Sequence, residues 1–182
     1  MARKGATVIV AARSKEKGED AVQRIKAEIG NTPGASLVEF MQLDLSSLAQ
    51  VKLFADDFNS RGIPLDMLIL NAGVMAPEFG LTSDGFETQI GTNHMGHFLL
   101  VKLLTPIVKS SKARIVHVSS AAHMFSYPEG IRFDSFKSNF EYDPLYVQYS
   151  IPCIAITSSL TLWVAILDSD TTYLPMITSP HS

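Results

Sequence analysis

The chain has 182 residues, of which 46% are hydrophobic and 18% are charged, and its formal net charge is -3 at pH 7. This length and this apolar content suffice for one globular domain with a real core. The small acidic excess excludes the positively charged surface that a nucleic acid or an anionic membrane would need, so we expect a small-molecule partner.

The first part of the chain predicts strands and helices in alternation. Residues 2–6 have the pattern of a last helical turn with its glycine stop, so the chain is expected to begin within an element. A continuous β-branched and apolar run, residues 7–12, predicts a strand that is buried on both faces. Ser14 is placed to cap a helix over residues 15–29, and a second strand is expected at 36–43.

The alternation continues to residue 119. Residues 44–47, three of which are polar, offer helix caps, and the helix that follows ends before a Gly-Ile-Pro stop at 62–64. Residues 67–70 and 113–119 predict two more strands, on either side of a long helix over 86–110. Repeated β then α units imply right-handed crossovers and an α/β fold with a doubly wound parallel sheet.

Ligands of such sheets bind beyond the carboxyl ends of the strands. Arg13 comes directly after the first strand, where a fold that prefers NAD usually places an acid for the ribose 2′-hydroxyl. An arginine suits a 2′-phosphate and therefore predicts NADP, although NAD is compatible. The alternative is a solvated basic residue at the start of a helix.

Four segments occur together and in a characteristic order: Leu43-Asp44-Leu45, Asn71-Ala72-Gly73, residues 92–98 and residues 114–120. In these segments the sequence resembles the short-chain dehydrogenase/reductase family, and most of all its retinol dehydrogenase and WW-domain oxidoreductase branch. The resemblance implies a partial Rossmann-type NAD(P)-binding domain over residues 1–150. It also implies an oxidoreductase that moves a hydride between a nicotinamide and a lipophilic alcohol or carbonyl, such as a retinoid.

The resemblance implies cofactor roles for residues at two strand ends. Asp44 and the backbone of Leu45 would face the adenine, and a helix cap is an equal alternative for Asp44. Asn71, Ala72 and Gly73 would let the backbone approach the cofactor ribose, because Ala and Gly carry little bulk. The alternative for these three residues is an ordinary turn after a strand.

Three residues take catalytic roles by the same resemblance, and two of them lie before residue 121. Asn93 would hold a water that relays protons, and Ser120 would hydrogen-bond the substrate oxygen unless it merely initiates a loop. His94 and His97 lie three apart on one helix, which makes a metal pair conceivable. Because no third ligand converges on them, we expect no metal site and instead histidines that find hydrogen-bond partners within the fold.

The third catalytic residue is Tyr146, which matches the tyrosine of the family's Tyr-x-x-x-Lys motif. In that motif the ammonium lowers the phenol pKa, but Ser150 stands at the lysine position and no lysine follows Lys137. Without the cation the phenol should keep a pKa of about 10. We therefore expect impaired activity, and two alternatives stay open: Tyr146 as an ordinary packed aromatic, and the chain as an inactive remnant or an interaction protein.

The family begins with a strand and a Gly-rich turn that cradles the pyrophosphate, and both are missing from this sequence. In the strand order 3-2-1-4-5-6 that first strand is central. We therefore expect an incomplete sheet, made of two strand pairs whose unpaired edges face a gap.

Residues 151–182 form a tail that does not match the family. It is apolar and uncharged up to Leu167 and then contains many Ser, Thr and Pro residues. Pro152 and several hydroxyl residues interrupt the apolar run, so we do not expect it to span a membrane; a dimer-interface helix of a homo-oligomer, or a tail unrelated to the fold, fits better.

The single cysteine, Cys153, cannot form an internal disulfide, and no secretory signal opens the chain, so we expect a cytoplasmic protein.

Overall fold

The computed structural model describes residues 1–30, 35, 37–119 and 133–137, and it confirms the predicted alternation of strands and helices. The strands are β1 (Val8–Ala12), β2 (Val38–Gln42), β3 (Met67–Leu70) and β4 (Arg114–His117). The helices are α1 (Lys15–Ile29), α2 (Leu48–Ser60), α3 (Thr88–Ile90) and α4 (His97–Ser111), with a π-helical segment at Gly91–Gly96 between the last two. Short 3-10 helices cover Ala2–Lys4 and Phe133–Phe136.

Helix α1 begins at the cap that the sequence predicts. Ser14 Oγ accepts a hydrogen bond from Lys17 N (3.3 Å), which satisfies one of the N–H groups that a helix start leaves unpaired. Gly18 faces β2, and a Cβ at this position would lie 2.1 Å from the Phe40 ring. The absence of a side chain therefore lets α1 pack directly on β2.

The strands form two parallel pairs. β1 pairs with β2 with Val8 opposite Val38, and β3 pairs with β4 with Met67 opposite Arg114. Within the described ranges no strand joins the two pairs. In this part of the chain β1 and β3 each keep one unpaired edge, and Ile69 of β3 is 46% exposed.

One apolar cluster bridges the two strand pairs. Met41 of β2 and Leu70 of β3 belong to it, and α2 and α4 pack on each other through it. Val51 of α2 is fully buried and Leu104 of α4 is 1% exposed, and a large apolar side chain buried in this way contributes about 1.5–3 kcal/mol. The cluster thus holds the carboxyl ends of the two pairs near each other.

The tail and the proposed division at residue 150 lie outside the described residues, so both stay predictions. The same is true of the apolar run between residues 151 and 167. In the ranges that are described, no helix has the length and apolar character that crossing a bilayer requires.

Candidate cofactor site

The chain segments that follow β1, β2 and β3 meet at a pocket of about 370 Å³. Small-molecule sites commonly measure ~300–1,000 Å³. Arg13 follows β1, Asp44 follows β2 and Val74 comes shortly after β3, and all three line the pocket. Most of the remaining lining residues carry a hydroxyl group: Ser46, Ser47, Thr82, Ser83, Thr88 and Thr92. The structure therefore brings Arg13 and Asp44 together, as their positions after parallel strands predict.

A backbone hydrogen bond fixes the position of Arg13, and its charged guanidinium is exposed and can bind a ligand. Its carbonyl oxygen accepts a hydrogen bond from Gln42 Nε2 (3.1 Å), which ties the residue to the end of β2. The side chain is exposed, and its guanidinium makes no hydrogen bond or ion pair with any other described residue. A free guanidinium at a pocket can bind a phosphate through two parallel N–H groups.

Asp44 shapes the loop between β2 and α2. Its Oδ1 accepts from Ser46 N (2.9 Å) and from Ser46 Oγ (2.6 Å), so the carboxylate closes a turn two residues long. The cap of α2 is Ser47, whose Oγ accepts from Gln50 N (3.4 Å). The alternative role of Asp44 as the helix cap is therefore wrong, because the turn places Ser47 at the start of the helix.

Leu45 is buried beside the π-helical segment. A Cβ at Gly96 would lie 2.4 Å from Leu45 O, so the two backbones approach as closely as a glycine permits. The side chain of Leu45 is 6% exposed and the residue does not line the pocket. Its proposed backbone contact with the adenine stays a prediction.

Asn93 holds the loop that follows β3. Its Oδ1 accepts from Val74 N (2.8 Å) and its Nδ2 donates to Val74 O (2.9 Å). A Cβ at Gly73 would lie 3.1 Å from Asn93 Oδ1, which explains why this loop carries a glycine there. Asn71, Ala72 and Gly73 themselves are exposed, and none of the three is among the residues that line the pocket. The amide of Asn93 thus positions the loop, and the water relay stays a prediction.

The histidines of this region lie close together and are shielded from solvent. His97 Nδ1 is 3.0 Å from Asn93 O, and its ring contacts that of His117 edge to face at 5.7 Å between centroids. Burial lowers the pKa of His94 and of His97; burial, followed by the neighbouring histidines, lowers the pKa of His117 to about 4. In the described part of the chain no three potential ligands are arranged to hold a metal ion.

Ser120 and Tyr146, which the sequence assigns to catalysis, lie outside the described residues. The chain leading to Ser120 is described up to Ser119. Val118 N donates to Leu70 O (3.0 Å), so this segment runs beside the end of β3. The roles of both residues stay predictions.

Ser83 lines the pocket and Asp84 follows it in the chain; the sequence analysis identified neither residue. Asp84 Oδ2 accepts from Leu48 N (2.9 Å) at the start of α2, and Ser83 Oγ lies 3.2 Å from Ser46 O. The tetrapeptide Thr82 to Gly85 has the composition of a turn, which is the one signal that could have drawn attention to it.

Residues 1–138 match the family model described as short chain dehydrogenase. Among curated proteins, the chloroplastic short-chain dehydrogenase TIC 32 B of Brassica napus is 44% identical over 137 residues, which are 72% of this chain and 42% of that protein. Retinol dehydrogenase 12 of Mus musculus is 45% identical over 125 residues, 68% of this chain and 38% of that protein. The chain thus spans about two fifths of the length of these curated relatives.

Solved structures share the fold. An uncharacterised protein of Mycobacterium paratuberculosis superposes with a TM-score of 0.70 at 38% identity, over 92% of this chain and 57% of that one. A gluconate 5-dehydrogenase of Burkholderia cenocepacia, solved with NADP and tartrate, gives a TM-score of 0.62 at 20% identity, over 91% of this chain and 57% of that one. At that identity the second match supports the fold alone.

Proposed function

The chain belongs to the short-chain dehydrogenase family, and from this premise we propose that its pocket binds the adenosine half of NADP. The observation that carries the proposal is Arg13, whose unpaired guanidinium stands at a hydroxyl-lined pocket beyond the strand ends. A 2′-phosphate would meet this cation and the hydroxyl groups of Ser46 and Ser47. The half-buried Asp44 already accepts two hydrogen bonds from Ser46, which balance part of its charge.

We propose an oxidoreductase reaction on a lipophilic alcohol or carbonyl. The nicotinamide would supply or accept the hydride. Ser120 would orient the substrate oxygen, Tyr146 would exchange the proton and Asn93 would support the relay, all by family resemblance. The likeness to a retinol dehydrogenase supports a retinoid-like substrate.

The same resemblance supports slow turnover. Ser150 occupies the position of the lysine that lowers the phenol pKa in the family. General acid and base catalysis contributes roughly 10²–10⁴-fold, which sets the scale of the loss. A second candidate function, a catalytically inactive family member that acts by binding, is favoured by Ser150.

Calorimetric titration of the purified chain with adenosine 2′,5′-bisphosphate and with ADP tests the cofactor proposal. We expect tighter binding of the 2′-phosphorylated nucleotide, and a loss of about 10- to 100-fold in Arg13→Ala, the range that a charge-assisted hydrogen bond represents. Lys17→Ala removes an exposed cation from the first turn of α1 and should leave binding unchanged. Equal binding of both nucleotides, or no effect of Arg13→Ala, contradicts the proposal.

Oxidation of NADPH, followed at 340 nm after addition of retinal, tests the reaction. Turnover above that of Tyr146→Phe supports the enzyme. Nucleotide binding without any turnover supports the inactive alternative.

A further inference from the structure

Two chain segments line the pocket, and we call them its walls. The first wall, residues 44–48, runs from the loop after β2 to the first residue of α2, and the second wall, residues 81–86, lies between β3 and α3; both contribute lining residues. The two segments are far apart in sequence, and hydrogen bonds join them beside the pocket. These contacts therefore contribute to the shape of the pocket.

Ser83 and Asp84 make those contacts, and we call the pair the Ser83–Asp84 clamp. Ser83 Oγ lies 3.2 Å from both Ser46 O and Asp84 Oδ2 and donates its one proton to either acceptor, and Asp84 Oδ2 accepts from Leu48 N (2.9 Å). Both acceptor and donor on the first wall are backbone groups. The clamp thus fixes the course of the first wall itself and not only a side chain on it.

The second wall presents the clamp on a closed turn. Gly85 N donates to Thr82 O (2.9 Å). Gly85 has a φ of 77°, a backbone conformation that residues with a side chain rarely adopt. Thr82 N donates to Phe86 O (2.7 Å) and Thr82 Oγ1 accepts from Phe86 N (3.2 Å). Hydrogen bonds between Thr82 and Gly85 and between Thr82 and Phe86 close the turn, so they fix the backbone position of Asp84.

The carboxylate of Asp84 also suits its place at the start of a helix. Leu48 is the first residue of the 13-residue helix α2, and its N–H has no partner within the helix. A negative charge there is stabilised by the helix dipole and by the hydrogen bond. The hydrogen bond is therefore charge-assisted, and it joins two segments that lie 36 positions apart in sequence.

We propose that Asp84 is a positioning residue for nucleotide binding, because the Ser83–Asp84 clamp holds the two pocket walls at the separation that the adenosine needs. The inference rests on the proposed function, since it assumes that the pocket receives a nucleotide. It assigns a role to a residue that would touch neither the nicotinamide nor the substrate.

The test compares Asp84→Ala with Asp84→Asn in calorimetric titrations with adenosine 2′,5′-bisphosphate and with ADP. Alanine removes the acceptor for Leu48 N, and we expect both nucleotides to bind about tenfold more weakly, the factor that one charge-assisted hydrogen bond represents. Asparagine keeps an oxygen for Leu48 N and should stay within about threefold of the unaltered chain. Ser83→Ala removes the weaker link and should cause a smaller loss in the same direction.

Ser60→Gly separates positioning from simple helix stability. It weakens α2 at the end remote from the pocket, where Ser60 Oγ donates to Asp57 O (2.7 Å). Nucleotide affinity should survive this change. A loss as large as that of Asp84→Ala would show that helix stability, not the clamp, controls binding, and would overturn the inference.

Hydrogen exchange supplies a readout that needs no ligand. Asp84→Ala should lose protection at the Leu48 amide, and Asp84→Asn should keep it. Unchanged protection or unchanged affinity in Asp84→Ala, or tighter binding of the bisphosphate through loss of the carboxylate, overturns the inference while the proposed function stands. If the unaltered chain binds neither nucleotide, both fall together.

Discussion

Replacing Asn93 by alanine tests the link between the π-helical segment and the loop after β3. The change deletes the two hydrogen bonds between the Asn93 amide and the Val74 backbone, at 2.8 and 2.9 Å. Each contributes about 1 kcal/mol net, and a buried group left unpaired costs about 1–3 kcal/mol. Because Val74 is only half-buried, water can reach part of its backbone, so we expect the free energy of unfolding to fall by about 2–3 kcal/mol.

Urea unfolding followed by far-UV circular dichroism measures this loss. The midpoint should fall while the slope stays the same, because the surface exposed on unfolding does not change. Lys102→Ala, at an exposed position of α4, is the control and should change stability by less than about 0.5 kcal/mol. Asn93→Asp keeps an acceptor for Val74 N but sets an oxygen against Val74 O, so it should be no more stable than the alanine variant.

Gly73→Ala extends the test to a double-mutant cycle. An added Cβ would lie 3.1 Å from Asn93 Oδ1, so the substitution should be costly in the unaltered chain and cheaper by roughly 0.5–1 kcal/mol when Asn93 is already alanine. Strictly additive losses, or a loss below about 0.5 kcal/mol for Asn93→Ala alone, would refute the reasoning from these contacts.

Three further outcomes follow from the described contacts. Unfolded histidines titrate near pH 6.5, and the folded chain lowers the pKa of His117 to about 4 and also lowers those of His94 and His97. Stability should therefore be full above about pH 6.5 and fall by about 1–2 kcal/mol as the pH drops toward 4, after allowance for solvent screening; urea titrations in this range measure the fall, and His117→Asn should flatten it. Gly96→Ala should destabilise the fold by about 1–3 kcal/mol because its Cβ would meet Leu45 O, although alanine favours a helix; a stabilised variant would contradict the close approach. Ser14→Ala should cost about 1 kcal/mol in thermal or urea unfolding, since it removes the cap of α1.

Features that depend on neighbours in sequence could be predicted. The helix stop near the start of the chain is present, with Gly5 at a φ of 84°, and Ser14 caps α1. The parallel arrangement then placed Arg13 and Asp44 at one edge, because the ends of parallel strands share an edge.

Features that depend on contacts between distant segments could not be predicted. The helix expected over 86–110 contains the π-helical segment Gly91–Gly96, which lies against the backbone of Leu45. Asp84 reaches the start of α2 across 36 positions of sequence, and no local pattern reveals such a contact. Ser47, and not Asp44, caps α2, because the Asp44 carboxylate instead closes a turn with Ser46 before the helix begins.

Within the part of the chain that the structure describes, β1 and β3 each keep an unpaired edge, and this bears on the behaviour of that part at high concentration. A strand edge with free N–H and C=O groups is a template on which any extended chain can add, and on β3 the apolar side chains of Met67 and Ile69 are 38% and 46% exposed beside it. We therefore expect aggregation at high concentration to begin at the exposed edge of β3. Ile69→Lys should keep the protein monomeric to higher concentration.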